Sequence, residues 1–228
     1  MTLFFRERLG DTIPVTDARD VRRSLPDPEG QWIPGNSAFE LAFAWVDAGD
    51  FPPAVRQVLA TVPAYAGMKL IKAVFAKHTD LRSFGGPNDT NLMVYAELKD
   101  GRAVIAVEGK RDEDFGPSVA HWKDSVARER RLNTLCNTLS VDPKDCQALN
   151  YPLVRRTASA LFEAQQDQAS HAMLLVHSFS DKDTGFDEFR AFTATIGAPV
   201  LAPNQVSVER VLDGVSLRFA WIRDKAST

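Results

Sequence analysis

Leu92-Met93-Val94-Tyr95-Ala96-Glu97-Leu98-Lys99-Asp100-Gly101-Arg102-Ala103-Val104-Ile105-Ala106-Val107-Glu108-Gly109-Lys110 is the stretch on which the reading of this chain turns. Two apolar runs, Leu92–Leu98 and Ala103–Val107, flank Lys99-Asp100-Gly101-Arg102. Asp-Gly between strand-like runs is the strongest short-range hairpin signal. The second run is apolar on both faces until its last three residues, the pattern of a central strand covered by helices on both sides. Side chains alternate along a strand, so Glu108 and Lys110 point one way and Gly109 the other. A carboxylate and an ammonium at such a place are costly unless they are paired or bind something. The Glu108 carboxylate and the Gly109 carbonyl can ligate Mg²⁺ or Mn²⁺, and Lys110 can orient or help deprotonate an attacking water.

Hard divalent cations favour a second carboxylate, and Asp89 is the candidate. A turn centred on Asp100-Gly101 sets Lys99 opposite Arg102, Met93 opposite Glu108 and Asn91 opposite Lys110. Asp89 then lies on the same face but four residues past the Glu108 level, roughly 13 Å at the usual strand rise. Closing a site on these three residues requires a curl of the Pro87-Asn88-Asp89 loop.

Outward from the hairpin, residues 1–35 read as a lead-in rich in turn formers and charge, with a short helix near Thr16–Ser24. Asn36 or Ser37 caps a helix through Ala48 with Phe39, Phe43 and Val46 on one stripe. Pro53 opens a helix over Ala54–Ala60. Gly67–His78 alternates lysines with Leu70, Ile71, Val74 and Phe75 at helical spacing, and a Gly85-Gly86-Pro87-Asn88 loop follows. Beyond the hairpin, Gly116-Pro117-Ser118 opens a helix to Leu139, and Asn150 caps another to Gln166 with Leu153, Thr157, Ala160, Leu161 and Ala164 inward. Ala172–His177 is a short buried strand, Asp181 or Thr184 starts a helix to Ile196, and Val215–Trp221 is a strand with a wetter face at Ser216 and Arg218. The expected fold is one α/β domain over residues 1–228, a mixed sheet flanked by helices.

Composition sets the bounds on function. With 228 residues, 44% hydrophobic and 25% charged, a sizeable core is expected rather than disorder. A net charge of −3 provides no global field toward nucleic acid or anionic membrane, which leaves room only for a local basic patch. The two cysteines, Cys136 and Cys146, fall short of a disulfide framework or zinc site and read as small core residues. No apolar run reaches membrane-spanning length, and the start lacks a signal-peptide run, so a cytoplasmic protein is expected. Neither a phosphate-binding glycine loop nor a dinucleotide fingerprint is present, so no nucleotide cofactor is expected. None of His78, His121, His171 and His177 shows metal spacing, and His177 reads as a satisfied core histidine.

Asp89 after its loop, followed through a hairpin by Glu108-Gly109-Lys110, resembles the signature of the PD-(D/E)XK, restriction-endonuclease-like superfamily. The order of helix, hairpin, helix, strand and helix is similar to that superfamily's common core. Four further stretches resemble an uncharacterised bacterial family without an assigned substrate. They are Trp32 with Pro34–Ala38, Val107–Pro117, Arg156–Leu161 and Val176–Ser180. The resemblance implies a Mg-dependent nuclease, with Asp89, Glu108 and Gly109 at the metal and Lys110 as the catalytic residue. Nucleases of this type often supply another acid from the first long helix, which makes Glu40 an accessory candidate. Glu113 is a weaker one, in a turn whose acids more often cap the next helix. Pro152 stands where exonuclease-like relatives carry a polar residue, so no such role attaches to that position.

Arg155 and Arg156 lie in the first turns of their helix, where two cations oppose the helix dipole unless something negative visits. A phosphate contact and a salt bridge are equal readings of them. The functional expectation is hydrolysis of phosphodiester bonds in nucleic acid. Two rivals stand beside it. One is a nuclease-like fold without catalysis that acts as a binding or interaction module. The other is hydrolysis of a small phosphorylated ligand, which would show as a closed pocket rather than a groove.

Overall fold

In the computed structural model, which describes residues 2–8, 10–81 and 88–226, Leu92–Leu98 and the run to Lys110 form the expected hairpin. Nine strands of the described residues share one mixed sheet. In chain order, β1 (Phe4–Arg8) and β2 (Asp11–Pro14) form an outer hairpin, and a 3₁₀ turn at Ala18–Ser24 follows. Asp17 and Asp20 close that turn with a reciprocal capping box. Three helices come next: α1 (Pro28–Gln31), α2 (Ser37–Ala48) and α3 (Pro53–Leu59). The meander β3 (Lys69–Thr79), β4 (Asn88–Leu98) and β5 (Gly101–Lys110) leads to α4 (Val119–Trp122), α5 (Val126–Leu139) and α6 (Tyr151–Gln166). The chain returns through β6 (His171–Ser178) to α7 (Phe186–Thr195), then β7 (Gln205–Val206), β8 (Arg210–Leu212) and β9 (Val215–Arg223).

The sheet runs β2-β1-β3-β4-β5-β6-β9-β7, with β8 also paired to β9. β5, β6 and β9 are parallel neighbours, whereas β3, β4 and β5 are antiparallel. Parallel pairing needs crossovers, and α6 and α7 supply them. β5 is apolar throughout because both of its faces are covered. Val104 and Ala106 join Leu135, Leu153 and Leu161 in the core under α5 and α6. Ile105 and Val107 join Leu41, Trp45 and Leu59 in the core under α2 and α3. This is an α/β fold with a mixed sheet flanked by helices. Among the described residues no helix is long and apolar enough to cross a membrane.

Four local expectations are corrected. Gly67–His78 is not a helix: Lys69–Thr79 is the strand β3, paired antiparallel to β4 and parallel to β1. The helix expected from Ser118 to Leu139 is two helices, because Ser125 starts a second one by accepting the Arg128 N–H. On α2 the buried face is Leu41, Ala42 and Trp45 with Glu40, whereas Phe39 and Phe43 are half-buried against Trp32. The face of β9 expected to be wetter is covered: Glu209 pairs with Arg218 and accepts the Ser216 hydroxyl. The loop residues Gly85, Gly86 and Pro87 lie outside the described residues.

The hairpin register is also shifted. Leu98 pairs with Gly101 and Met93 with Ala106, so the turn is Lys99-Asp100, and Gly101 (φ +119) begins the returning strand. The close packing beneath β5 is visible at Gly109. A Cβ there would stand 3.1 Å from the Ser37 carbonyl oxygen and 3.2 Å from Leu41 Cβ, both on α2. Gly109→Ala is therefore expected to cost about 1–3 kcal/mol, as overpacking does when backbone must shift. Urea denaturation measures it, and an unchanged midpoint would contradict this packing.

Candidate functional site

The β4–β5 ladder is paired from Leu98/Gly101 to Leu92/Val107, and Glu108–Lys110 continue beyond it beside β6. Extended past Leu92/Val107, the observed register sets Asn91 level with Glu108 and Asp89 level with Lys110. Asp89 is thus two residues nearer than a turn at Asp100-Gly101 would put it. Glu108 is 6% exposed, and its Oε2 sits 2.7 Å from Arg156 Nε on α6. Neither atom of that contact makes a hydrogen bond. They form an ion pair that is close but poorly aligned. Burial pushes the Glu108 carboxyl above its ordinary range, against the pull of Arg156, Lys110 and Arg155.

Lys110 is 1% exposed. Its ammonium donates to the Glu113 carbonyl oxygen and lies 4.3 Å from the centre of the Phe115 ring. Burial lowers its pKa, and the Glu108 charge opposes that shift. A buried acid and a buried base with pKa values displaced toward neutrality form an arrangement suited to proton transfer.

Glu108 and Lys110 do not line the nearby cleft of about 830 Å³; Glu108 reaches its wall through Arg156, and that wall also includes Asp89, Thr90, Asn91, His78 and Arg155. Asp89 is exposed, its carboxylate is held by His78 Nδ1, and its carbonyl accepts from Arg155 Nη2 at 3.2 Å. The strand path explains this pairing. Phe75 lies in the core under α2, yet Lys77 and Thr79 both reach Glu163 on α6, on the opposite face. Residues two apart share a face in a regular strand, so the alternation reverses at Ala76, which has a φ of +51. His78 then alternates with Lys77 and Thr79 and meets Asp89, its partner on β4. A left-handed alanine in the cleft wall is stored strain of the kind that clusters at functional sites.

Glu40 is buried at 1% exposure and accepts the Gly35 N–H at 2.9 Å. It approaches the cleft through Arg111, whose Nη1 is 4.0 Å from it. Glu113 caps its own turn: Oε2 accepts the Arg111 N–H at 2.8 Å. Asp112 accepts the Ser180 and Thr184 hydroxyls at 2.7 and 3.0 Å, which ties the end of β5 to the segment after β6.

The structure thus brings Glu108, Lys110, Arg155 and Arg156 to one end of the sheet, with Asp89 on the cleft wall. It sets a cation, rather than the second carboxylate, against Glu108. Among the described residues no group of three or more His, Cys, Asp and Glu side chains forms a metal cluster. Mg²⁺ is commonly held by one or two carboxylates and keeps several waters. Glu108, whose Oε2 lacks a hydrogen bond, faces α6 with the Gly109 carbonyl next to it in the chain. The Asp89 carboxylate is held by His78, which alternates with the α6-facing Lys77 and Thr79, so Asp89 has to turn toward Glu108 to share an ion with it. Sequence reasoning weighed His78 only as a metal ligand, without finding the spacing for it, and gave no site role to Arg111 or Thr90. His78 was hidden by the helical reading of β3, and Thr90 carries no signal beyond its neighbour Asp89.

His177 is fully buried and satisfied on both ring nitrogens. Trp45 Nε1 can only donate, so Nδ1 accepts at 3.2 Å, and Nε2 carries the proton toward Asp224 Oδ2 at 3.1 Å. Burial lowers its pKa, so the imidazole stays neutral in the fold. The unfolded chain takes up that proton first. The stability this group contributes is complete above about pH 6.5 and falls as pH drops toward the folded value. Melting temperatures from pH 8 to 5 are expected to decline below about pH 6.5, with a shallower decline in His177→Phe. Parallel profiles would exclude His177 as the source.

No curated protein and no solved structure matches the chain at a significant level. A family model described as a domain of unknown function, DUF6946, matches residues 14–226, a span containing all four of the stretches quoted above. The chain therefore belongs to the DUF6946 family.

Proposed function

We propose that the cleft is the site of a PD-(D/E)XK nuclease-like hydrolase acting on phosphodiester bonds of nucleic acid with Mg²⁺ or Mn²⁺. One observation carries the reading: Glu108, at the carboxyl end of a buried central strand, has a buried oxygen without a hydrogen bond and Lys110 on the same side. The order α2, β3–β4–β5, α6, β6 supports it by resemblance to the superfamily core. Glu108, the Gly109 carbonyl and Asp89 would hold the ion, which when bound supplies Lewis-acid activation of the phosphate and of water. Lys110 would orient the water and accept its proton, a task eased by its lowered pKa. Arg155 and Arg156 would steady the phosphate oxygens. A phosphate that draws Arg156 away also frees the Glu108 carboxylate, so phosphate and metal should bind cooperatively.

The test pairs Mn²⁺ calorimetry with cleavage of end-labelled DNA and RNA under Mg²⁺. Wild-type protein is expected to bind Mn²⁺ more tightly with phosphate present, and Asp89→Ala and Glu108→Ala to lose both binding and cleavage. Equal cleavage in Glu108→Ala and wild type would overturn the assignment.

A specific observation favours a second reading, a binding module without catalysis. Both carboxylates already have partners, the Arg156 guanidinium for Glu108 and the His78 imidazole for Asp89. Nucleic-acid binding that is insensitive to Mn²⁺ and to Asp89→Ala, with no cleavage, would make this the better description.

A further inference from the structure

We infer that the cleft is built for a single nucleotide, with its phosphate at the α6 end and its base at the other. The placing of the phosphate rests on the reading above; the base end does not. The volume of about 830 Å³ lies in the range of small-molecule sites. Its two ends differ in chemistry. Arg155 and Arg156 come from α6, on one face of the sheet. Val21, Leu41 and Phe75 belong to the core on the other face, and Leu25 and Pro26 also line the cleft. The cleft therefore wraps around the strand ends, with Arg155 and Arg156 beside Asp89 at one end and, at the other, an apolar wall joined by Arg111, which lies 4.0 Å from Glu40 on α2.

Besides Arg156 Nε, which lies against Glu108, three polar atoms of its wall residues are buried without a hydrogen-bond partner: Arg155 Nε, Thr90 Oγ1 and Ser24 Oγ. Buried polar groups are nearly always satisfied, so three orphans around one cleft call for a ligand with matching groups. Arg155 and Thr90 are donors suited to phosphate and sugar oxygens. Ser24 stands among the apolar residues with Gln31 nearby on the same wall, and both can donate and accept. Hydroxyl and amide groups set in an apolar wall match a flat heterocycle with hydrogen-bonding edges. A phosphate alone would leave the apolar end unused, and a lipid or fatty acid would leave Ser24 and Gln31 unmatched. The same chemistry is offered by a free nucleoside monophosphate and by the terminal nucleotide of a strand.

Binding in EDTA keeps this inference separate from the hydrolysis reading, since cleavage is idle without metal. By calorimetry, at least one of the four nucleoside 5′-monophosphates is expected to bind about tenfold or more tightly than ribose 5-phosphate. Leu25→Trp, which fills the apolar end at a half-buried position, should abolish that difference and leave ribose 5-phosphate binding intact. Ser24→Ala removes only the orphan hydroxyl and should weaken the nucleotide about two- to tenfold, the worth of one hydrogen bond. Competition with linear oligonucleotides but not circular single-stranded DNA would identify a strand terminus. Competition with neither would identify the free mononucleotide. Equal binding of nucleotide and ribose 5-phosphate, no effect of both variants, or competition by circular DNA equal to that by linear would overturn the inference.

Discussion

Lys110→Met is expected to lower metal-dependent cleavage by about 10²- to 10⁴-fold, the range associated with losing a positioned acid–base group, while the protein stays folded. The separation of the two effects follows from the lysine's surroundings. Its stem is wholly buried, and the ammonium rests on the Phe115 ring and the Glu113 carbonyl. Methionine fills nearly the same space and removes the desolvation that lowers the lysine pKa. Volume-conserving swaps cost less than about 1.5 kcal/mol, so the melting temperature should move little. A lysine held only for structure gives the opposite pattern, lost stability with cleavage per folded molecule unchanged. The pH–rate profile adds a readout that packing does not move. If Lys110 accepts the proton, the rising limb should follow its lowered pKa and disappear in Lys110→Met. Cleavage by Lys110→Met at the wild-type rate would remove the residue from the chemistry.

Glu108 and Lys110 were legible in the sequence because the physics that exposes them is local. A run apolar on both faces has to be a covered strand, and two charges at its end stand out against it. The sheet partners of that end were less legible. β3 carries Leu70, Ile71, Val74 and Phe75 at spacings that suit one helical face. In the fold those residues divide between two cores and an exposed edge, with Ile71 39% exposed and Lys72 lying over Tyr95. Pairing with β1 and β4 overrode local periodicity, and the reversal at Ala76 blurred the period-two signal that would have revealed a strand. The register error had a similar origin. Asp100-Gly101 satisfies a two-residue turn by composition, but the fold uses Lys99-Asp100 and spends the glycine's positive φ on the first residue of β5. A two-residue shift preserves faces, so the register error changed only the distance to Asp89. It is the reversal at Ala76 that pairs Asp89 with His78, away from the α6 face on which Glu108 meets Arg156, and so overturns the expected shared face. The pairing of Glu108 with Arg156 is 48 positions long-range and leaves no local trace. Sequence reasoning left a phosphate contact and a salt bridge as equal readings of Arg156, and the fold sets the acid Glu108 against it.

Arg156→Met is expected to destabilise the protein by about 3–5 kcal/mol, the usual cost of removing one partner from a buried ion pair. Both side chains are close to nine-tenths buried, so solvent cannot replace the lost partner. What remains is Glu108 with a buried oxygen that already lacks a hydrogen bond, and with Lys110 and Arg155 as its nearest cations. Removal of Arg156 takes away the largest charge opposing burial, so the Glu108 carboxyl should rise further and take up a proton. Linkage gives the sign. A carboxyl whose folded pKa lies above its unfolded value favours the fold at low pH and opposes it as pH rises through the folded pKa. The deficit in Arg156→Met should therefore be smallest near pH 4.5 and grow toward neutrality. Glu108→Gln in the same chain removes the charge at nearly constant shape and should recover about 2 kcal/mol or more, because the stranded charge, rather than the lost contact, carries most of the cost. Urea denaturation of the wild type, both single variants and the double variant completes the cycle. Strict additivity would mean that the 2.7 Å contact contributes nothing to stability. Cleavage per folded molecule of the Arg156→Met single variant, in which Glu108 is intact, separates the arginine's two roles. If Arg156 also steadies phosphate, activity falls by more than the folded fraction does, and an unchanged rate per folded molecule would confine Arg156 to stability.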